Sequence, residues 1–138
     1  MRIIQNKTLY SPTDLNNFVS CKYHIKNDLL ADEKKFKKRE ISADLKLRIK
    51  YGIEHETKHF KLLKNKNNPS VTINDKLTDE KRFEATKQAL TKGYKLIYKA
   101  YFIEKNFRGE ADFLLRVNTK SDLGNYSYEV YDTKITKN

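Results

Sequence analysis

Asp112, Asp132 and Lys134 carry charge in segments that otherwise read as buried strands. The segments are Arg108-Gly109-Glu110-Ala111-Asp112-Phe113-Leu114-Leu115-Arg116-Val117 and Tyr128-Glu129-Val130-Tyr131-Asp132-Thr133-Lys134-Ile135, short runs of β-branched, aromatic and aliphatic residues bounded by glycine and polar turns. Side chains alternate along a strand, so Tyr128, Val130, Asp132 and Lys134 share one face. That apolar face ends in a carboxylate and an ammonium roughly 6.6 Å apart, two residue rises. Asp112 shares its face with Leu114, and antiparallel pairing through a loop at Gly124-Asn125 would set it beside Asp132. Two carboxylates and a lysine then converge. A lone charge at a strand end is ordinarily solvated, whereas charges inside an apolar face need an ionic partner or a metal.

Another carboxylate comes from a helix predicted over residues 42–64. At helical spacing Leu45, Ile49, Gly52, Ile53, Glu56, Phe60 and Leu63 form one stripe, and Glu56 interrupts the face that should meet the sheet. It either accepts from a backbone group or a lysine in a structural role, or joins the strand carboxylates. The same helix spells His55-Glu56-Thr57-Lys58-His59, the His-Glu-x-x-His pattern in which two histidines bind zinc and the glutamate activates water for peptide hydrolysis. That chemistry needs His55 and His59 to face the site, whereas the stripe turns Glu56 and Phe60 inward. It also leaves Asp112, Asp132 and Lys134 without a task.

The remaining elements must position these groups. Ser11-Pro12-Thr13-Asp14 combines a capping serine, a proline at the first helical position and an acid three residues after the cap, which predicts a helix running to about residue 30. Leu15, Phe18, Val19, Ile25 and Leu29 are its apolar stripe, and Cys21 is expected as a small core residue. Val71-Thr72-Ile73 is a short edge strand after a loop at Asn67-Asn68-Pro69-Ser70. Thr78 caps a third helix that ends at Gly93, with Phe83, Thr86, Ala89 and Leu90 inside. Residues 94–103 form a strand with Leu96, Tyr98, Ala100 and Phe102 on one side and Ile97, Tyr101 and Ile103 on the other. The fold class is mixed α/β, in a single domain over residues 1–138.

Taken together, Gly109-Glu110-Ala111-Asp112-Phe113-Leu114 and Tyr128-Glu129-Val130-Tyr131-Asp132-Thr133-Lys134 resemble the core of the PD-(D/E)XK nucleases, in particular the RecB-like branch. The helix-then-strands order is similar to the αβββ part of that restriction-endonuclease-like core, and the likeness covers nearly the whole chain. The resemblance implies a nuclease that hydrolyses phosphodiester bonds of DNA in repair, recombination or processing. Glu56, Asp112 and Asp132, with the backbone carbonyl of Thr133, would hold Mg²⁺ or Mn²⁺, and Lys134 would support the attacking water or contact the phosphate. Family members carry a glycine followed four residues later by a metal-reaching histidine. Gly52-Ile53-Glu54-His55-Glu56 puts Glu56 at that place and His55 one early, so His55 is the second choice of ligand. Arg108 and Lys99 are candidates for phosphate contacts. The family core continues with a helix carrying Gln-x-x-x-Tyr and a further strand, so the chain reads as the N-terminal piece of a longer protein. A helicase or an RNase H-like domain is the expected fused partner. Some relatives hold an iron–sulfur cluster with four cysteines. Cys21 is the sole cysteine here and does not support one.

Charge agrees with a polyanionic partner. There are 29 Lys and Arg against 18 Asp and Glu, a formal net charge of +11, with a basic run at Lys34-Lys35-Phe36-Lys37-Lys38-Arg39. Single- or double-stranded DNA is the expected ligand, and a basic binding module without catalysis is the alternative. One cysteine excludes an intramolecular disulfide. Without a signal-peptide core or an apolar span, the expected compartment is the cytoplasm, with no membrane partner.

Overall fold

The computed structural model describes residues 2–4, 7–32, 35 and 40–134, and its architecture is mixed α/β. The basic run at 34–39 lies, but for Lys35, outside the described residues. The chain, read above as one domain, divides into two compact units: Met1–Ser42 with Ile103–Gly109, and Ala43–Phe102 with Glu110–Asn138.

In the first unit, β1 (Arg2–Ile4) pairs antiparallel with β2 (Lys7–Leu9), a ribbon the sequence patterning did not announce. Helix α1 (Pro12–Ser20) starts at the expected capping box: Ser11 N–H donates to Asp14 Oδ2 at 2.7 Å and Asp14 N–H to Ser11 Oγ at 3.3 Å. The single helix expected to residue 30 is instead broken at Cys21, which is extended (φ −157°, ψ 112°), and α2 runs Tyr23–Asp32. Val19, Ser20, Cys21, Tyr23 and His24 are all weak helix formers, so nothing local opposes the break. Cys21 is consequently exposed, not a core residue. Leu15 and Phe18 of α1 and Ile25 and Leu29 of α2 still share a groove with Tyr10 and Phe107, of about 430 Å³, while Val19 is exposed.

The second unit holds α3 (Ala43–Lys66), β3 (Ser70–Thr72), α4 (Asp79–Lys92), β4 (Leu96–Glu104), β5 (Phe107–Val117) and β6 (Ser127–Tyr131), the tip of the β4–β5 hairpin belonging to the first. The sheet order is β3-β4-β5-β6. β3 runs parallel to β4, with Ser70 opposite Leu96, through the α4 crossover. β5 and β6 are antiparallel, with Phe113 opposite Tyr131. On one face Ala89 of α4 packs with Ile73, Ile97, Ala100 and Leu114. On the other, His59 of α3 meets the edge of Phe113, and Phe60 stacks on Tyr98 with ring centroids 4.2 Å apart. Successive residues Phe113 and Leu114 thus meet different helices, as strand alternation requires.

Both ends of α4 are fastened. Thr78 Oγ1 accepts from Lys81 N–H, and Gly93 closes the helix at φ +69°, where a Cβ would meet Arg116 Nη1 at 3.2 Å. Arg116 donates to the Gly93 carbonyl at 3.0 Å, and the Tyr126 hydroxyl to those of Leu90 and Thr91 at 2.9 and 3.1 Å.

Two further expectations need correction. The α3 stripe was to meet the sheet along its length, but Leu45, Ile49 and Ile53 are about half exposed and contact begins near Glu56. A helix of 24 residues is roughly 36 Å long, longer than the strands can cover. In β4 the expected strict alternation fails at Lys99, whose φ is +61° in mid-strand. Ile97 and Ala100, expected on opposite sides, lie in one cluster with Phe102 packed against it. The left-handed turn of the chain at Lys99 is what shifts the alternation. Tyr101 N–H donates to the fully buried Thr86 Oγ1 at 2.9 Å, and Thr86 in turn donates to the Arg82 carbonyl.

Candidate functional site

The Lys99 ammonium lies in a group of carboxylates, all within the second unit. Its Nζ lies 2.6 Å from Glu56 Oε1, 2.8 Å from Asp112 Oδ1 and 3.3 Å from Glu110 Oε1. Three different elements, α3, β4 and β5, therefore meet at one nitrogen. Tyr98 adds a hydroxyl that donates to the same Glu56 oxygen at 2.7 Å, and the other oxygen of Glu110 pairs with Arg82 of α4. The Lys99 and Glu56 side chains are 23% and 16% exposed, so these ion pairs are screened less than surface pairs.

Asp132 and Lys134 stand at the open side. Past Phe113–Tyr131, the next residues in the β5–β6 register are Asp112 and Asp132, and their carboxyl groups come within hydrogen-bonding reach. Lys134 pairs with Asp132, and the Thr133 N–H also donates to that carboxylate. At 45% and 78% exposure, Asp132 and Lys134 are open to an incoming ligand, as Lys99 is not.

The surroundings separate the two aspartates. Burial, the Asp132 carboxyl and the Glu56 charge push Asp112 above the usual carboxylate value against the pull of Lys99. Lys134, then Asp112 and the Thr133 amide, hold Asp132 below it. Burial alone would lower Lys99, but hydrogen bonds to Asp112 and Glu56 outweigh it and raise the ammonium above its ordinary range. Asp132 likewise raises Lys134 above its ordinary value.

Of the residues singled out in the sequence, Glu56, Asp112, Asp132 and Lys134 are brought together, with Thr133 between the last two. Lys99, expected to touch phosphate, is instead enclosed by carboxylates. Arg108 lies in the first unit, half-buried, its N–H donating to the Tyr10 carbonyl. His55 is exposed, and His59 spends its ring on Phe113 rather than joining His55. Glu110 and Arg82 went unnoticed. The signal for Glu110 was present, since it lies two residues before Asp112 and so on the same strand face. Nothing in a helix pattern marks Arg82 as buried.

Oxygen donors of this kind suit a hard divalent cation. As they stand, however, no three His, Cys, Asp or Glu side chains among the described residues are placed to hold one ion. The carboxylates are turned onto the Lys99 ammonium, which takes the central place.

Comparison with family models, with curated proteins and with solved structures finds no match to this chain.

Proposed function

We propose that the chain is a PD-(D/E)XK-type, RecB-like nuclease domain that hydrolyses phosphodiester bonds of DNA with Mg²⁺ or Mn²⁺. One observation carries this reading: Asp112 and Asp132 are adjacent across β5 and β6, with Lys134 on Asp132 and Glu56 sharing the Lys99 ammonium with Asp112. Glu56, Asp112 and Asp132 are the residues that would hold the ion, with the Thr133 carbonyl beside them. When bound, such an ion lowers the pKa of water and neutralises charge developing on the scissile phosphate. Lys134, exposed beside Asp132, would orient or deprotonate the attacking water, or bind a phosphate oxygen. Asp132 keeps that ammonium in place, and the basic surface draws the polyanion in.

Cleavage of single- and double-stranded DNA in Mg²⁺ or Mn²⁺, halted by chelator, is the expected result. Asp132→Ala and Lys134→Ala should lower cutting by roughly a hundredfold or more, on the scale of losing a transition-state charge contact. Their exposure leaves the fold unaffected, which circular dichroism checks. Cleavage that survives both substitutions puts the chemistry elsewhere. A second reading, a basic nucleic-acid-binding module without catalysis, draws on the inward turn of the carboxylates onto Lys99. DNA binding without cutting at any divalent ion tried would favour it.

A further inference from the structure

We infer that Lys99 is a built-in counter-cation of the carboxylate cluster, and that a divalent ion binds there by exchanging with its ammonium. The inference rests on reading the cluster as a divalent-cation site. The Nζ of Lys99 lies 2.6 and 2.8 Å from Glu56 and Asp112, two of the three carboxylates proposed to hold the ion, and 3.3 Å from Glu110, so it stands where an ion shared by Glu56 and Asp112 would be. One cation and its rival cannot both be there.

The backbone supports a role beyond packing. Lys99 has φ +61° within a strand, a conformation that is strained for an L side chain and that glycine or asparagine would adopt more readily. A lysine held in that conformation points to a task for its ammonium. The displaced ammonium has somewhere to go. Lys99 and Tyr98 also line a cleft of about 410 Å³, and exposed Asp75 on that cleft offers a replacement counter-charge.

Removing the ammonium separates this role from a merely structural one, because the two predict opposite signs. If Lys99 only gathers the carboxylates, its loss lets them spread and weakens metal binding. If it competes, its loss strengthens binding. Lys99→Gly removes the charge and relieves the left-handed backbone, and Lys99→Met removes the charge while keeping the stem. Titration of the chain with Mn²⁺ alone by calorimetry, with wild type in parallel, reads the affinity. Exchange predicts binding tighter by about tenfold or more in both variants, the modest end of what a unit charge at ion-pair distance is worth near a protein surface.

Equal or weaker binding in the variants, with wild type binding Mn²⁺, overturns the exchange and leaves the nuclease reading intact. Should no form bind Mn²⁺, both fall. If a variant is unfolded in chelator, thermal unfolding with Mn²⁺ decides: recovery of the folded state on adding the ion supports exchange, and continued unfolding overturns it.

Discussion

Asp112 and Asp132 are the same chemical group in two settings, and the difference between them is the most direct handle on the site. A carboxyl-carbon NMR titration should resolve two steps, one below and one above the ordinary 3.8, belonging to the pair rather than to either residue. Their effects on stability oppose each other. Asp132, depressed, contributes stability above that value that is lost as pH falls through its folded pKa; Asp112, raised, contributes stability at low pH that is lost as pH rises through its own. Two steps both near 3.8 would mean the groups do not interact. Alternation made Asp112, Asp132 and Lys134 legible as neighbours, whereas helical spacing marked Glu56 only as an inward carboxylate in need of a partner, which proves to be Lys99. Lys99 itself was not legible, because a left-handed residue inside a strand leaves no mark in an alternating pattern. Its charge alone made it a candidate for a phosphate contact, and the structure encloses it among carboxylates.

At the scale of elements, the caps were the most readable features. Ser11, Thr78 and Gly93 mark their helix ends because each satisfies backbone groups within a few residues. Less readable were the break at Cys21, the exposed front of α3 and the β1–β2 ribbon of two three-residue strands, none of which leaves a periodic pattern. The left-handed Lys99 in β4 is another such feature, followed two residues on by a Tyr101 N–H that Thr86 of α4 accepts. Thr86→Val keeps the branched shape but leaves that buried donor without its hydroxyl acceptor. Urea unfolding should show a loss of about 1–3 kcal/mol, the usual cost of an unsatisfied buried group. An unchanged midpoint would mean that water or a shift of β4 takes over.

The whole molecule presents a net charge of +11, and no helix among the described residues is long and apolar enough to cross a membrane. Phosphate contacts release counterions, so affinity for DNA should fall log-linearly with salt and show little sequence preference. Fluorescence anisotropy between low and physiological salt measures it. In the absence of metal, Asp112→Ala and Asp132→Ala should bind as well as wild type or better, because each removes a negative charge from the phosphate path. Undetectable binding at low salt would leave the charge as a solvated surface and sink both readings of function.

The end of α4 bears on how that whole opens. The last turn of a helix normally frays first, because its carbonyls have only water for partners. Here the carbonyls of Leu90, Thr91 and Gly93 accept from Tyr126 and Arg116, which belong to the sheet and its final loop. Freeing that turn means detaching it from β5 as well. The ordinary weak point of a helix is thereby tied to the strand that carries Asp112, so that opening either one breaks contacts of the other.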